Sequence, residues 1–493
     1  MTRFPEFELY IDGAFRPAEG GVFESVDPAS GEPWATMPAA SEEDVDEAAE
    51  SAYRAFTHGP WPALTAAQRG KLLYRLADLL AESAPRLAEL ETRDTGKIIR
   101  ETRGQTGYAA EYYRYYAGLA DKIEGATLAI DKPDMEVSTR REPLGVVAAV
   151  VPWNSQLFLS AVKLGPALAA GNTVVLKASE DGPAPLLEFA RCVEAAGFPP
   201  GVVNILTGFG EPCGRALTSH PLVSRVAFTG GPQSARQVVR NTAENFAATS
   251  LELGGKSPVV VFADADIESA VNGVVAGIFG AGGQSCVAGS RLLIDEEIRE
   301  AFLDRLTRKA EAIRIGNPLE SSTEMGPLAT LRQLENIETT VEATVDEGAT
   351  LICGGGRPEG FDAGFYYQPT ILHCSGPDAP SVERELFGPV LSVLSFEDED
   401  EAVALANATD YGLAAGVFTR DLARAHRMVR RLRSGIVWVN TYRAVSPVAP
   451  FGGFGLSGYG REAGLDQILD YTRTKCVWIN TSDTPMPDPF MMR

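Results

Sequence analysis

Gly145-Val146-Val147-Ala148-Ala149-Val150-Val151 is the stretch whose reading decides the fold. It is a continuous apolar run rather than an alternating one, so it suits a strand covered on both faces. A helix-length segment follows, Phe158 to Ala170, and then a second Val-rich run, Thr173 to Leu176. The alternation continues through Val202 to Leu206, Val226 to Phe228 and Pro258 to Phe262, with Ala184 to Ala196 as a further helix-length segment. Such runs, separated by helices, predict a parallel sheet. A second series follows: Arg291 to Ile294, Pro389 to Phe396, Gly416 to Phe418 and Ile436 to Val439. The expected class is therefore α/β, with two α/β domains.

Upstream of Gly145 the pattern differs. Residues 1 to 40 read as short strands and turns, Phe7-Glu8-Leu9-Tyr10-Ile11, Asp12-Gly13 and Asp27-Pro28-Ala29-Ser30-Gly31. Ser41 with Asp44 forms a capping box ahead of the stripe Val45, Ala48, Ala49, Ala52, Phe56. Thr65 with Gln68 repeats it before Leu72, Leu73, Leu76, Leu79 and Leu80. The aromatic segment Tyr108 to Tyr116 continues as helix. Ile123 to Glu142 is polar and belongs to neither series, as a protruding hairpin would. Tyr471 to Asn480, with Val477, Trp478 and Ile479, reads as a strand, and the Pro-rich tail after Asp483 as an extended arm.

The chain has 493 residues, enough for two or three cores at 45% apolar content. It has no run of about 18 apolar residues, which argues against a transmembrane helix. Met1 to Tyr10 lacks the basic-then-apolar layout of a signal peptide. Six scattered cysteines, at 192, 213, 286, 353, 374 and 476, imply a reducing, cytoplasmic setting. A net charge of -22 disfavours nucleic acid and anionic membrane as partners. Four isolated histidines, His58, His220, His373 and His426, argue against a metal site or a Ser-His-Asp triad.

In open α/β sheets, ligands sit beyond the carboxyl ends of strands. Three loops there carry chemistry. Val151-Pro152-Trp153-Asn154 offers an amide donor. Lys177-Ala178-Ser179-Glu180 is either a surface ion pair or a ribose clamp, in which Glu180 accepts from both hydroxyls of an adenosine ribose. Phe228-Thr229-Gly230-Gly231 precedes a helix whose free N–H groups suit a pyrophosphate. Gly208-Phe209-Gly210 is followed by Gly214, one residue too late for the usual dinucleotide fingerprint.

Two further stretches suggest a reaction. Gly283-Gln284-Ser285-Cys286-Val287-Ala288-Gly289-Ser290-Arg291 sets a cysteine among small residues. Leu251-Glu252-Leu253-Gly254-Gly255-Lys256 sets an acid before a Gly-Gly turn. A lone cysteine is more often a core residue than a nucleophile. With few histidines available, the pairing to consider is a cysteine nucleophile with a glutamate base.

Together these residues make the chain resemble the aldehyde dehydrogenase superfamily along nearly its whole length. The matching motifs, in order, are Pro152-Trp153-Asn154, Lys177 to Glu180, Phe228-Thr229-Gly230, Glu252 to Lys256, Gly283 to Cys286, Glu385-Leu386-Phe387-Gly388-Pro389-Val390, Pro450-Phe451-Gly452-Gly453 and Ser457-Gly458. The resemblance implies a non-acylating, NAD-dependent aldehyde dehydrogenase, with NADP as the other candidate carrier. Two doubly wound domains are implied, a Rossmann-like cofactor domain over 1–122 and 144–253 and a catalytic domain over 254–465. Segments 123–143 and 466–493 would form a small oligomerisation region, making a dimer or tetramer.

By the same resemblance Cys286 is the nucleophile and Glu252 the base, with Asn154 and the Cys286 N–H as oxyanion hole. Lys163 and Glu462 match a proton exit path. Lys177 and Glu180 would hold the adenosine ribose of NAD, and Gln333, Glu385 and Phe387 would position the nicotinamide end; Pro152, Trp153, Ser179, Gly210, Phe228, Thr229, Gly230, Gly231 and Leu253 would complete the cofactor site. No metal is implied. Ala178 stands where the family often has proline, and Gly231 where many members have serine. A coenzyme A-acylating enzyme, whose members lack the glutamate, and a non-catalytic protein on this fold are the alternatives. Aligned on the family, the substrate channel is formed by Ser155, Leu159, Val162, Gly280 and Val445, with rings only at Phe279, Tyr442 and Phe451. Arg443 falls near its entrance, so the expected substrate is a neutral or anionic aldehyde rather than a quaternary ammonium.

Overall fold

The computed structural model of the chain describes residues 4–486 and 488–491. Residues 1–3 of the stretch read for a signal peptide, and 487, 492 and 493 of the Pro-rich arm, lie outside the described residues.

Val146–Val150 (β1) is the first of five parallel strands, followed by Thr173–Ala178 (β2), Val203–Thr207 (β3), Val223–Thr229 (β4) and Ala248–Glu252 (β5). Their order across the sheet is β3-β2-β1-β4-β5. The order reverses between β1 and β4, which leaves a crevice at their carboxyl ends. Leu9–Ile11 adds antiparallel to β3 with Ala14–Arg16 outside it, and Gly458–Tyr459 closes the other edge antiparallel to β5. Continuous apolar strands follow from this burial. Val147 and Ala149 enter one apolar layer, and Val146 and Ala148 the opposite one.

The second sheet contains Pro258–Val261 (β6), Arg291–Asp295 (β7), Thr370–His373 (β8), Val390–Phe396 (β9), Ala414–Phe418 (β10) and Ile436–Val439 (β11). These run parallel in the order β8-β9-β7-β6-β10-β11, with Thr350–Cys353 antiparallel outside β8. This sheet too is covered twice: Val259 and Val261 face one layer and Val260 the other.

Both capping boxes form. Ser41 Oγ accepts from Asp44 N at 3.2 Å, and Asp44 Oδ2 accepts from Ser41 N at 2.9 Å. Thr65 and Gln68 exchange the same two bonds at 3.3 and 2.8 Å. The polar stretch is a hairpin, Thr127–Leu128 with Met135–Pro143. Thr472–Asn480 adds to it as a third antiparallel strand, from Thr472 opposite Pro143 to Asn480 opposite Met135. Its Trp478 and Ile479 are exposed.

Candidate active site

Cys286 sits on a loop that only a small-residue sequence can follow. Ala281, Gly282 and Gly283 take φ of 55, 60 and 72° in succession. A Cβ at Gly283 would lie 2.0 Å from the Gly388 carbonyl oxygen, so the residue there must be glycine. The loop is tied down by Glu101, whose Oε1 accepts from Ala281 N at 2.9 Å, and by Gln284, whose Oε1 accepts from Ala329 N at 2.9 Å. The Cys286 thiol is half-buried. Burial, and then the Glu252 and Glu385 carboxylates, push its pKa up to about 12, while Arg443 and the Val287 backbone pull the other way.

Glu252 is the last residue of β5, between Thr229 of β4 and Gly458 of the edge strand. Its carbonyl accepts from Gly230 N at 3.1 Å, and the next residue, Leu253, donates to Ser457 O at 3.1 Å. The backbone is therefore held from both sides, while the side chain is not. Both carboxylate oxygens are buried without a hydrogen-bond partner. Oε1 approaches Gly452 so closely that a Cβ there would lie 2.7 Å away. Burial, followed by repulsion from Glu462, holds this carboxyl well above the usual range, with Lys163 and Arg461 opposing. Lys163 and Glu462 form a fully buried ion pair behind it.

Asn154 stands just after β1. One N–H of its Nδ2 donates to Gln284 O at 3.1 Å, and the second is left for a ligand oxygen. Its own carbonyl accepts from Lys97 Nζ. Sequence reasoning missed Lys97, which also donates to Ser155 Oγ and Gln105 Oε1 at 2.8 Å each and lies 3.7 Å from Glu91 Oε1. Gly96, the left-handed cap that ends helix Ala66–Thr95, was the local signal that Lys97 begins a turn.

Asn154, Leu159, Glu252, Leu253, Cys286, Gln333, Glu385 and Phe387 line one cavity of about 260 Å³. Glu385 Oε1 accepts from Gly255 N at 3.0 Å, and burial raises its pKa to about 7. Its carboxylate lies where a Cβ of residue 254 would be, 1.8 Å from Oε2, which is why Gly254 is required. Gln333 Nε2 donates to the carbonyls of Leu386 and Phe387, the latter at 3.1 Å. This props Phe387 in a φ of 53°, its ring edge-on to Trp153 at 5.4 Å.

Pro152, Trp153, Thr229, Gly230 and Gly231 are shared with a second cavity of about 490 Å³, which runs along the crevice between β1 and β4. Lys177, Ser179, Glu180, Gly210 and Phe228 line it. Lys177 Nζ lies 3.5 Å from Glu180 Oε2. At the rim Arg332 pairs with Asp181 at 3.2 Å. A dinucleotide fits this crevice on three observations. Helix Pro232–Asn245 starts at it, a Cβ on Gly231 would meet nothing within 4 Å, and Thr229 Oγ1 is buried without a partner. A serine at 231 would fit, so the glycine there is not forced by space.

The channel needs correction at two of its rings. Phe279 and Tyr442 belong to the apolar core of the second sheet. Tyr442 packs against Gly277, Gly289 and Gly416, and its hydroxyl donates to Val287 O at 3.0 Å. Val162 is also buried, whereas Val445 is exposed and its carbonyl accepts from Tyr108 OH at 3.2 Å. Arg443 is half-buried, at φ 60°, and donates to Ala276 O at 3.0 Å.

Residues 15–477 match the aldehyde dehydrogenase family. The chain is 62% identical over 489 residues to the (Z)-2-((N-methylformamido)methylene)-5-hydroxybutyrolactone dehydrogenase of Acinetobacter baylyi, covering 99% of this chain and 100% of that one. Betaine aldehyde dehydrogenase of Bacillus subtilis is 40% identical over 476 residues, 96% of this chain and 97% of that one. The structure of PnpE with nicotinamide adenine dinucleotide matches with a TM-score of 0.96 at 42% identity, covering 99% of this chain and 100% of that one; PnpE comes from Pseudomonas sp. WBC-3. The NAD+ complex of aldehyde dehydrogenase from Bacillus cereus gives 0.95 at 41%, covering 97% of each.

Proposed function

The chain belongs to the aldehyde dehydrogenase family, and from that premise we propose how its residues divide the work. The enzyme oxidises an aldehyde to the carboxylic acid with NAD. NAD, when bound, would supply a hydride acceptor. Lys177 and Glu180 would hold its adenosine ribose, Gly230 and Gly231 would admit the pyrophosphate, and Glu385 and Phe387 would orient the nicotinamide end. A carboxylate at Glu180 favours the 2′-hydroxyl of NAD over a 2′-phosphate.

Cys286, as thiolate, bonds to the aldehyde carbon. The oxygen turns towards the free N–H of Asn154 and the backbone N–H of Cys286, donors worth about 3–4 kcal/mol each where an oxyanion forms. Glu252 then takes a proton from the water that hydrolyses the thioester, and Lys163 with Glu462 passes it outward. The observation that carries this reading is the pair of orphaned Glu252 carboxylate oxygens in the same cavity as Cys286. Among the described residues no donor competes with the water for either oxygen. A deacylating base also separates the enzyme from coenzyme A-acylating relatives. The test is product analysis with an aldehyde and NAD, with and without coenzyme A. Free acid is expected in both, and a coenzyme A thioester would overturn the base assignment.

The relative at 62% identity, whose name specifies a 5-hydroxybutyrolactone, supports a reading of the substrate. We assign this enzyme a compound of that class, a neutral or anionic masked aldehyde, rather than betaine aldehyde. The division into cofactor domain (1–122 and 144–253), catalytic domain (254–465) and assembly region (123–143 and 466–493) belongs to the same proposal, as does a cytoplasmic setting. The exposed Trp478 and Ile479 on the three-stranded sheet support a homo-oligomer, a dimer or tetramer, which scattering at micromolar concentration tests.

A further inference from the structure

A hydroxylactone poses a chemical problem for a thiol. Its hydroxyl-bearing carbon is tetrahedral, bonded to two oxygens, and offers no carbonyl to attack. The ring must open first. The hydroxyl proton leaves to solvent, the ring C–O bond breaks with its electron pair going to the acyl oxygen, and the former hydroxyl oxygen becomes the aldehyde carbonyl. The product is a 4-oxo acid anion, with a carboxylate three carbon–carbon bonds from the aldehyde. An enzyme that takes this form needs a cation beside its thiol loop.

Two cations lie there. Lys97 is committed: it donates to Asn154 O, Ser155 Oγ and Gln105 Oε1 and faces Glu91. Arg443 is not. Its place is fixed by the neighbouring Tyr442, whose hydroxyl donates to the carbonyl of Val287, the residue after Cys286. Nη1 donates to Ala276 O at 3.0 Å and reaches within 2.5 Å of where a Cβ on Gly280 would stand. Gly280, in the turn leading to Cys286, thus makes room for the guanidinium. The Glu101 carboxylate lies 3.8 Å from that same Cβ position, but its Oε1 is held by Ala281 N and it forms no ion pair with Arg443 among the described residues. A guanidinium has five N–H donors in a planar fork that matches a carboxylate. Among the described residues most of this one's are free, in a half-buried position where a charge-assisted pair is stronger than at the surface.

We infer that Arg443 anchors the carboxylate of the substrate, and that the enzyme acts on the ring-opened anion, a 4-oxo acid. This rests on the masked-aldehyde reading above and names the form that reacts. The anchor holds the chain open, because a carboxylate bound to Arg443 cannot close back on the aldehyde.

The test pairs 4-oxobutanoate with its uncharged methyl ester, using NAD, in the wild type, Arg443→Gln and Arg443→Lys. The wild type should prefer the anion by tenfold or more in kcat/KM. Arg443→Gln should lose about thirtyfold on the anion, mainly through KM, and stay within about threefold on the ester, with Arg443→Lys in between. Inhibition by succinate should weaken in parallel. Equal losses on both substrates, or none on the anion, would overturn the anchor. Should Arg443→Gln fail to bind NAD, Arg443→Lys and inhibition of the wild type decide: succinate no better than its diamide overturns the proposal. A wild type that oxidises other aldehydes but neither of this pair refutes the 4-oxo acid alone. One that oxidises no aldehyde with NAD refutes the Cys286 and Glu252 assignment as well.

Discussion

The two ends of the crevice are built on opposite rules. At the end lined by β2, two charged pairs are made before any ligand arrives, Lys177 with Glu180 and Arg332 with Asp181. At the Cys286 end they are not. Glu252 has two unpartnered oxygens, Cys286 is held as a thiol, and Ala281 and Phe387 sit in left-handed backbone. Matched charges give a binding surface of settled shape. Unmatched ones cost stability, about 1–3 kcal/mol for each buried orphan, and are kept where a reaction uses them. The contrast predicts that mutations at the two ends fail in different ways.

The sharpest separation comes from Cys286→Ala. Oxidation should fall by about four orders of magnitude or more, because no covalent intermediate forms, while the Kd for NAD stays within about twofold. Substantial residual turnover would dissolve the contrast.

Glu252→Gln should divide the reaction itself. An amide cannot take a proton from water, so steady-state turnover should drop by about 10²–10⁴ while a burst of NADH near one per site remains. A stopped-flow trace with no burst and an unchanged steady rate would remove Glu252 as base.

The pH profile sharpens the comparison further. Burial keeps both Glu252 and Cys286 protonated above their usual ranges, so the active, deprotonated forms appear as pH rises. The wild-type kcat/KM should therefore climb through neutral into alkaline pH. Lys163 lowers the Glu252 pKa, so Lys163→Met should move the climb to higher pH, about tenfold slower at neutral pH for each unit of displacement. A shift towards acid would show that the ion pair acts on some other group.

The smallest effect belongs to the matched end. Glu180→Gln should raise the KM for NAD about three- to tenfold, leave the aldehyde KM unchanged and narrow the preference over NADP. A change in the burst phase would mean that the two ends are not independent.

The first sheet was legible because its strands are buried on both faces: β1, β2 and β3 are Val-rich runs between helices. β5 was not read as a strand. Ala248-Thr249-Ser250-Leu251-Glu252 is held by β4 on one side and by residues 458–459 on the other, and no local pattern announces a partner two hundred residues away. β8 and Thr350–Cys353 escaped for a similar reason, each having four residues beside a sheet edge. Cys286, Glu252 and Asn154 were legible as motifs, and the structure brings them to one cavity. The direction of a side chain was harder. Tyr442 and Arg443 are adjacent, yet one enters the core and the other faces the thiol loop, a division set by left-handed backbone at Asn440 and Arg443. Sequence shows that the pair is near the site, not which one turns towards it.

The antiparallel edge of the first sheet has a consequence for synthesis. The chain leaves the ribosome from its N-terminus, and the five parallel strands β1 to β5 are complete by Glu252. Yet the neighbour of β5 is residues 458–459, the partner of Lys163 is Glu462, 299 residues further on, and Lys475 meets Glu142 across 333 residues. Until residues 458–462 emerge, β5 is an open edge and Lys163 a cation without its counter-ion. The edge of the first sheet is thus open to pairing while the chain is being made. A segment some two hundred residues downstream closes the sheet and gives Lys163 its partner behind Glu252.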